Sequence, residues 1–98
     1  MVKIEDIGQS KAKGKKMFVR LSDGDKVKTV HFGAKGFEDY TTHKDESRKL
    51  RYLSRHKSGE DWGKSGVYTA GFWSRWVLWN KPTITESIAD VKSRFNIE

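Results

Sequence analysis

The chain has 98 residues, of which 35% are hydrophobic and 34% charged, with a formal net charge of +7. A chain this short makes one domain and argues against a two-domain or deep-cleft enzyme. The absence of Cys excludes a disulfide scaffold, zinc–thiolate sites and thiol catalysis. No run of about 18 apolar residues is present, and the start MVKIEDIGQS is not a secretory signal, so no membrane span and no secretion are expected.

Three short strands come first, at about 2–8, 16–22 and 26–32. Val2, Ile4 and Ile7 mark the first, which Gly8-Gln9-Ser10 ends before a Lys/Gly loop. Ser22-Asp23-Gly24-Asp25 is a turn signal between the second and third. A four-residue loop there puts Met17, Val19 and Leu21 on one face with Val30 and Phe32. Gly33 and Gly36 then break the strand, and GAKGFEDYTTH reads as an ordered loop.

A helix is expected at about 44–57, starting near Thr42 or His43, with Asp45 and Glu46 in its first turn. Leu50 and Leu53 give it a narrow apolar stripe, and Arg48, Arg51 and Arg55 a wide basic face. Gly59 stops this helix, and Gly63 and Gly66 mark a flexible link. The next helix, at about 70–80, carries GFWSRWVLWN, the densest apolar stretch: Phe72, Trp76 and Trp79 align, as do Trp73 and Val77. Arg75 is placed to stack on Trp73 or Trp79. After Pro82, Thr83 and Glu86 form a capping box for a last helix at about 83–95, with an Ile84/Ile88/Val91/Phe95 stripe. The fold class is therefore α+β: a small antiparallel three-stranded meander with helices packed on one side. It is a single domain, 1–98, with a basic strand region at 1–36 and a helical, Trp-rich region at 37–98. The Trp cluster and the last helix's stripe should supply most of its core.

The charge is uneven. Residues 1–36 hold nine Lys/Arg against four Asp/Glu, whereas residues 59–98 balance at five and five. Lys11, Lys13, Lys15, Lys16 and Arg20 have no acid among them, nor do Arg48, Lys49, Arg51, Arg55 and Lys57. Two such clusters suit a polyanion partner, although scattered Lys and Arg also serve simply for solubility. The catalytic candidates are His31, His43, His56, Glu38, Asp39 and Asp45, and they match no known spacing: no H-E-x-x-H, no G-x-S-x-G and no P-loop. His43 and Asp45 are read as serving the helix start, so no catalytic residue, metal site or cofactor is assigned. Gly33 and Gly36, flanking Lys35, read as a turn rather than a phosphate cradle. The aromatics, at helical spacing, read as core in preference to base-stacking or membrane-interface positions.

The run HFGAKGFEDYTTHKDESRKLRYLSRH (31–56), then EDW (60–62), then AGFWSRWVLWNKPTITESI (70–88), resembles a small uncharacterised family found mostly in nucleocytoplasmic large DNA viruses. The resemblance covers about two thirds of the chain. It carries over Tyr40, Thr41, His43, Lys44 and Asp45, together with Arg48, Tyr52, Arg55 and His56; the Gly63–Tyr68 link departs from it. It implies a viral protein working near a large double-stranded DNA genome or its capsid, in the virion or the host cell interior.

Charge and resemblance together lead to the expectation of a non-enzymatic accessory protein that binds nucleic acid, DNA foremost, without sequence readout. Its phosphate contacts would be Lys11, Lys13, Lys15, Lys16, Arg48, Lys49, Arg51 and Arg55. The alternative is a minor capsid or virion interaction module whose basic face meets an acidic protein surface. A metal-dependent nuclease using His43 stands third.

Overall fold

A computed structural model describes residues 1–98. Three antiparallel strands, β1 (Lys3–Gln9), β2 (Lys15–Asp23) and β3 (Lys26–Ala34), form a sheet in the order β1-β2-β3. Helices follow: α1 (Tyr40–His43), α2 (Glu46–His56), α3 (Ala70–Trp73, continuing as a π-turn over Ser74–Leu78) and α4 (Ile84–Phe95). The fold is α+β, as the hydrophobic patterning indicates, and no helix is long and apolar enough to cross a membrane.

The β2–β3 connection is tighter than the expected four-residue loop. Asp23 pairs with Lys26 across a two-residue turn in which Gly24 has φ +62, the left-handed conformation a II′ turn asks of its first central residue. Because this register differs from the expected one by two residues, the face is unchanged. Met17 lies opposite Phe32 and Val19 opposite Val30, and with Leu21 all are buried. In β1, a bulge between Ile4 and Asp6 resets the alternation, so Ile4 and Ile7 both pack against the core despite their odd spacing. Gly33 does not end β3. With φ +80 it keeps the strand going to Ala34, and Leu78 lies so close that a β-carbon there would sit 2.7 Å from its Cδ1.

The helical layer covers that face. Phe72, Trp73, Val77, Leu78 and Val91 are buried against Val19, Leu21 and Phe32. Phe72 and Trp76 both meet Phe95, at ring-centroid distances of 5.0 and 5.2 Å. Each buried indole finds a carbonyl: Trp73 Nε1 donates to Val67 O at 2.7 Å and Trp76 Nε1 to Trp62 O at 2.9 Å. Burying each large side chain is worth about 1.5–3 kcal/mol. The α4 stripe contributes less than its periodicity suggests, because Val91 alone is fully buried, Ile88 and Phe95 are half-buried, and Ile84 is 36% exposed. Arg75 stacks on Trp76 (4.1 Å) and Trp62 (5.6 Å), not on Trp73 or Trp79, and donates to Trp79 O. Burial lowers its pKa.

Helix boundaries depart from expectation for local chemical reasons. The helix expected at 44–57 begins at Glu46, because Lys44 is left-handed (φ 54) and Asp45 is the N-cap, accepting from the Ser47 and Arg48 amides. The preceding loop contains a helical turn of its own, α1, capped by Asp39. The helix expected at 70–80 is α-helical only to Trp73; from Ser74 it widens to i→i+5 bonding, shown by Trp79 N–H donating to Ser74 O. Thr83 caps α4 as expected, but the Glu86 carboxylate accepts from the Thr83 hydroxyl rather than from its amide. The glycine link is ordered: the Asp61 carboxylate accepts from the Gly63 amide and the Ser65 hydroxyl, and Gly66 packs on the Asp61 carbonyl.

Candidate anion-binding cleft

An open cleft of about 580 Å³ lies between the sheet end and α2. One wall is the start of β2 and end of β3, with Lys15, Lys16, Gly33 and Ala34; the rim loop adds Phe37, Glu38 and Asp39. The other wall is α2, with Arg48, Arg51, Tyr52, Arg55 and His56, and the floor is Ser74, Leu78 and Trp79. The start of β2 and the arginine helix, 30 and more residues apart in sequence, therefore face one space.

What holds α2 there is aromatic and local. Tyr52 is buried between His56 (4.3 Å, stacked) and Trp79 (4.2 Å, 3° between planes). Lys49 turns inward, donating to Asn80 O at 2.7 Å and lying 4.7 Å from the Tyr40 ring centroid. Its burial lowers its pKa, as expected for an ammonium drawn out of water. The Leu50/Leu53 stripe is not the contact: Leu50 is 60% exposed, and Tyr52 takes the inward position instead.

The eight cations singled out from sequence fall into four groups. Lys16 and Arg48 line the cleft but are paired, Lys16 with Asp39 at 2.6 Å and Arg48 with Glu38 at 3.3 Å. Lys49 is committed to the Asn80 carbonyl. Lys15, Arg51 and Arg55 line the cleft without a carboxylate partner, although Arg51 donates to Ser47 Oγ. Lys11 and Lys13 are exposed on the β1–β2 loop, outside the cleft lining. Three free cations thus converge and two more stand nearby.

The Lys16–Asp39 pair does more than cancel charge. Asp39 is only 3% exposed and also accepts from the Thr41 amide and hydroxyl, while Lys16 Nζ donates to Phe37 O as well. One ion pair therefore fixes the rim loop to β2. Sequence reasoning missed this, since the partners are 23 residues apart and no local pattern links them; Asp39 followed by Thr41 was the one legible hint of a cap.

His43 is engaged in the α1–α2 corner. Its Nδ1 accepts the Asp45 amide at 2.9 Å, so Nε2 carries the proton; that nitrogen is buried without a hydrogen-bond partner, its ring 5.4 Å from Trp79. His31 Nδ1 pairs with Ser10 Oγ at 2.8 Å, and His56 faces Glu60 at 3.5 Å. No three His, Asp or Glu side chains converge as metal ligands would.

No curated protein and no solved structure matches the chain. Residues 5–56, from β1 through the end of α2, match a family of unknown function, DUF5754, and the matched segment includes both cationic walls of the cleft. With more than half of its length in that match, the chain belongs to this family, DUF5754.

Proposed function

We propose that the protein is a non-enzymatic, nucleic-acid-binding accessory protein that holds phosphates in the cleft without reading sequence. The observation that carries this reading is the convergence of Lys15, Arg51 and Arg55, none in an ion pair with a carboxylate, on one open space that Glu38, Asp39 and Glu60 also line. Long cationic side chains position a phosphate backbone but do not discriminate bases. The resemblance to proteins of nucleocytoplasmic large DNA viruses supports a viral role, beside the genome in the virion or the infected cell.

A mobility-shift series across salt tests it. With Lys11 and Lys13 added to the three cleft cations, log K should fall against log salt with a slope of about −4.5 on duplex DNA, or about −3.5 on a single strand. Lys15→Ala/Arg51→Ala/Arg55→Ala should flatten the duplex slope by about 2.7. A salt-independent affinity, or an unchanged slope in the triple variant, overturns the reading. The second reading, a virion module docking on an acidic protein, draws on Leu50, an exposed apolar side chain beside Arg51 on α2. Many copies per particle in virion mass spectrometry, with no nucleic-acid affinity, would favour it.

A further inference from the structure

Phe37 is the most exposed large apolar side chain of the protein, at 73%, and it stands at the rim of the cationic cleft. Its backbone is held from both sides: its amide donates to Ala34 O at 3.3 Å and its carbonyl accepts from Lys16 Nζ. The turn that carries it follows β3 and is shaped by the left-handed Gly36 (φ +91). A ring on a pinned backbone, left in water beside Lys15, Arg51 and Arg55, is not a side chain for which the core had no room. Its backbone is pinned, so a planar ligand that stacks on the ring does not have to order the loop as well.

We infer that the cleft takes single-stranded nucleic acid, one base stacking on Phe37 while the flanking phosphates meet Lys15, Arg51 and Arg55. This rests on the nucleic-acid reading above and narrows it. Charge alone does not distinguish a duplex from a single strand, but a stacking platform does, because in a duplex the base faces are already covered. Base–aromatic stacking is tolerant of sequence, which fits binding without sequence readout.

The test compares an oligo(dT) strand of about ten nucleotides with an abasic strand of equal length and equal phosphate number, by fluorescence anisotropy at fixed salt. The wild-type protein should prefer oligo(dT) by about 5- to 150-fold, the range for one stacked base. Phe37→Ala should lose that preference and bind both strands as the wild type binds the abasic one, within about twofold. Phe37→Tyr, which keeps a π-face, should retain it. Because the ring is exposed, both variants should melt with the wild type, and this is checked by thermal denaturation. Equal wild-type affinity for the two strands, or a Phe37→Ala loss that is the same on both, overturns the inference while salt-dependent binding leaves the phosphate reading standing. Binding of duplex but not of oligo(dT) also overturns the inference alone; binding of neither overturns both.

Discussion

Tyr52→Ala should remove the main attachment of α2. The ring is buried with one face on Trp79 and the other on His56. Truncating a buried aromatic to Ala costs about 3–5 kcal/mol, and aromatic pairs contribute about 0.5–1.5 kcal/mol each beyond the buried area. The site lies against the open cleft, where water can refill the gap, so a loss near the lower end, about 3 kcal/mol, is expected. For a domain of this size that lowers Tm by about 15 °C. The phenol oxygen makes no hydrogen bond within the protein, so Tyr52→Phe should cost no more than about 0.5 kcal/mol. Guanidinium denaturation of the two variants, followed by tryptophan fluorescence, measures both. A Tyr52→Ala loss below about 1 kcal/mol, or a Tyr52→Phe loss as large as that of Ala, would refute the claim that the stack anchors the helix.

Asp39→Ala deletes the cap of α1 and leaves Lys16 without its partner, so a loss of about 2–4 kcal/mol is expected by chemical denaturation; Asp39→Asn, which keeps the cap, should lose less. Gly66→Ala would drive a β-carbon into the Asp61 carbonyl oxygen, whereas a β-carbon at Gly59 has nothing within 4 Å. The first should cost about 3 kcal/mol or more and the second no more than about 0.5 kcal/mol, again by denaturation. Asp90 is held below the ordinary carboxylate pKa chiefly by the Asn80 side-chain amide, and Asp61 by the Ser65 hydroxyl. Each depressed pKa adds stability that is present above about pH 4 and is lost as pH falls through the folded value. Asp90→Asn should therefore flatten the acid limb of a Tm–pH profile while lowering Tm at pH 7. Burial raises the pKa of Tyr52, and the hydrogen bond to Glu46 raises that of Tyr40. Their contribution is complete below about pH 10 and is lost as pH climbs through the folded values. Phenolate absorbance at 295 nm should accordingly lag behind that of free tyrosine until the protein unfolds, with less lag in Tyr52→Phe.

Strands, the last helix and the aromatic core were legible because each rests on short-range signals. The Met17/Val19/Leu21 alternation survives any even shift of register, so the buried face followed even though the turn is shorter than expected. Thr83 and Glu86 mark a helix start within four residues. What escaped is non-local or defies helical periodicity. The Lys16–Asp39 and Arg48–Glu38 pairs form only when the rim loop folds onto β2 and α2, so a count of cations overstated the free charge. In α2, a search for aliphatic stripes selects Leu50 and passes over Tyr52, whose partner Trp79 lies on another element. Phe37 was passed over because an aromatic in a Gly-rich loop carries no periodic signal, and its exposure is a property of the folded surface.

The π-turn at Ser74–Leu78 acts as a phase shifter within a single helical rod. Under continuous α-helical winding, Trp79 would stand above Phe72 and Trp76 and face the sheet-side core with them. The wider turn holds it back by about one residue's rotation, roughly 100°, so the same rod serves Phe95 with Trp76 and Tyr52 with Trp79. Deleting one residue inside the turn would restore the common helical pitch and leave Trp79 at its present angle, so both contacts would persist. Winding all the present residues as a regular helix would instead swing Trp79 away and take from α2, and the arginines it carries, the ring that Tyr52 stacks on.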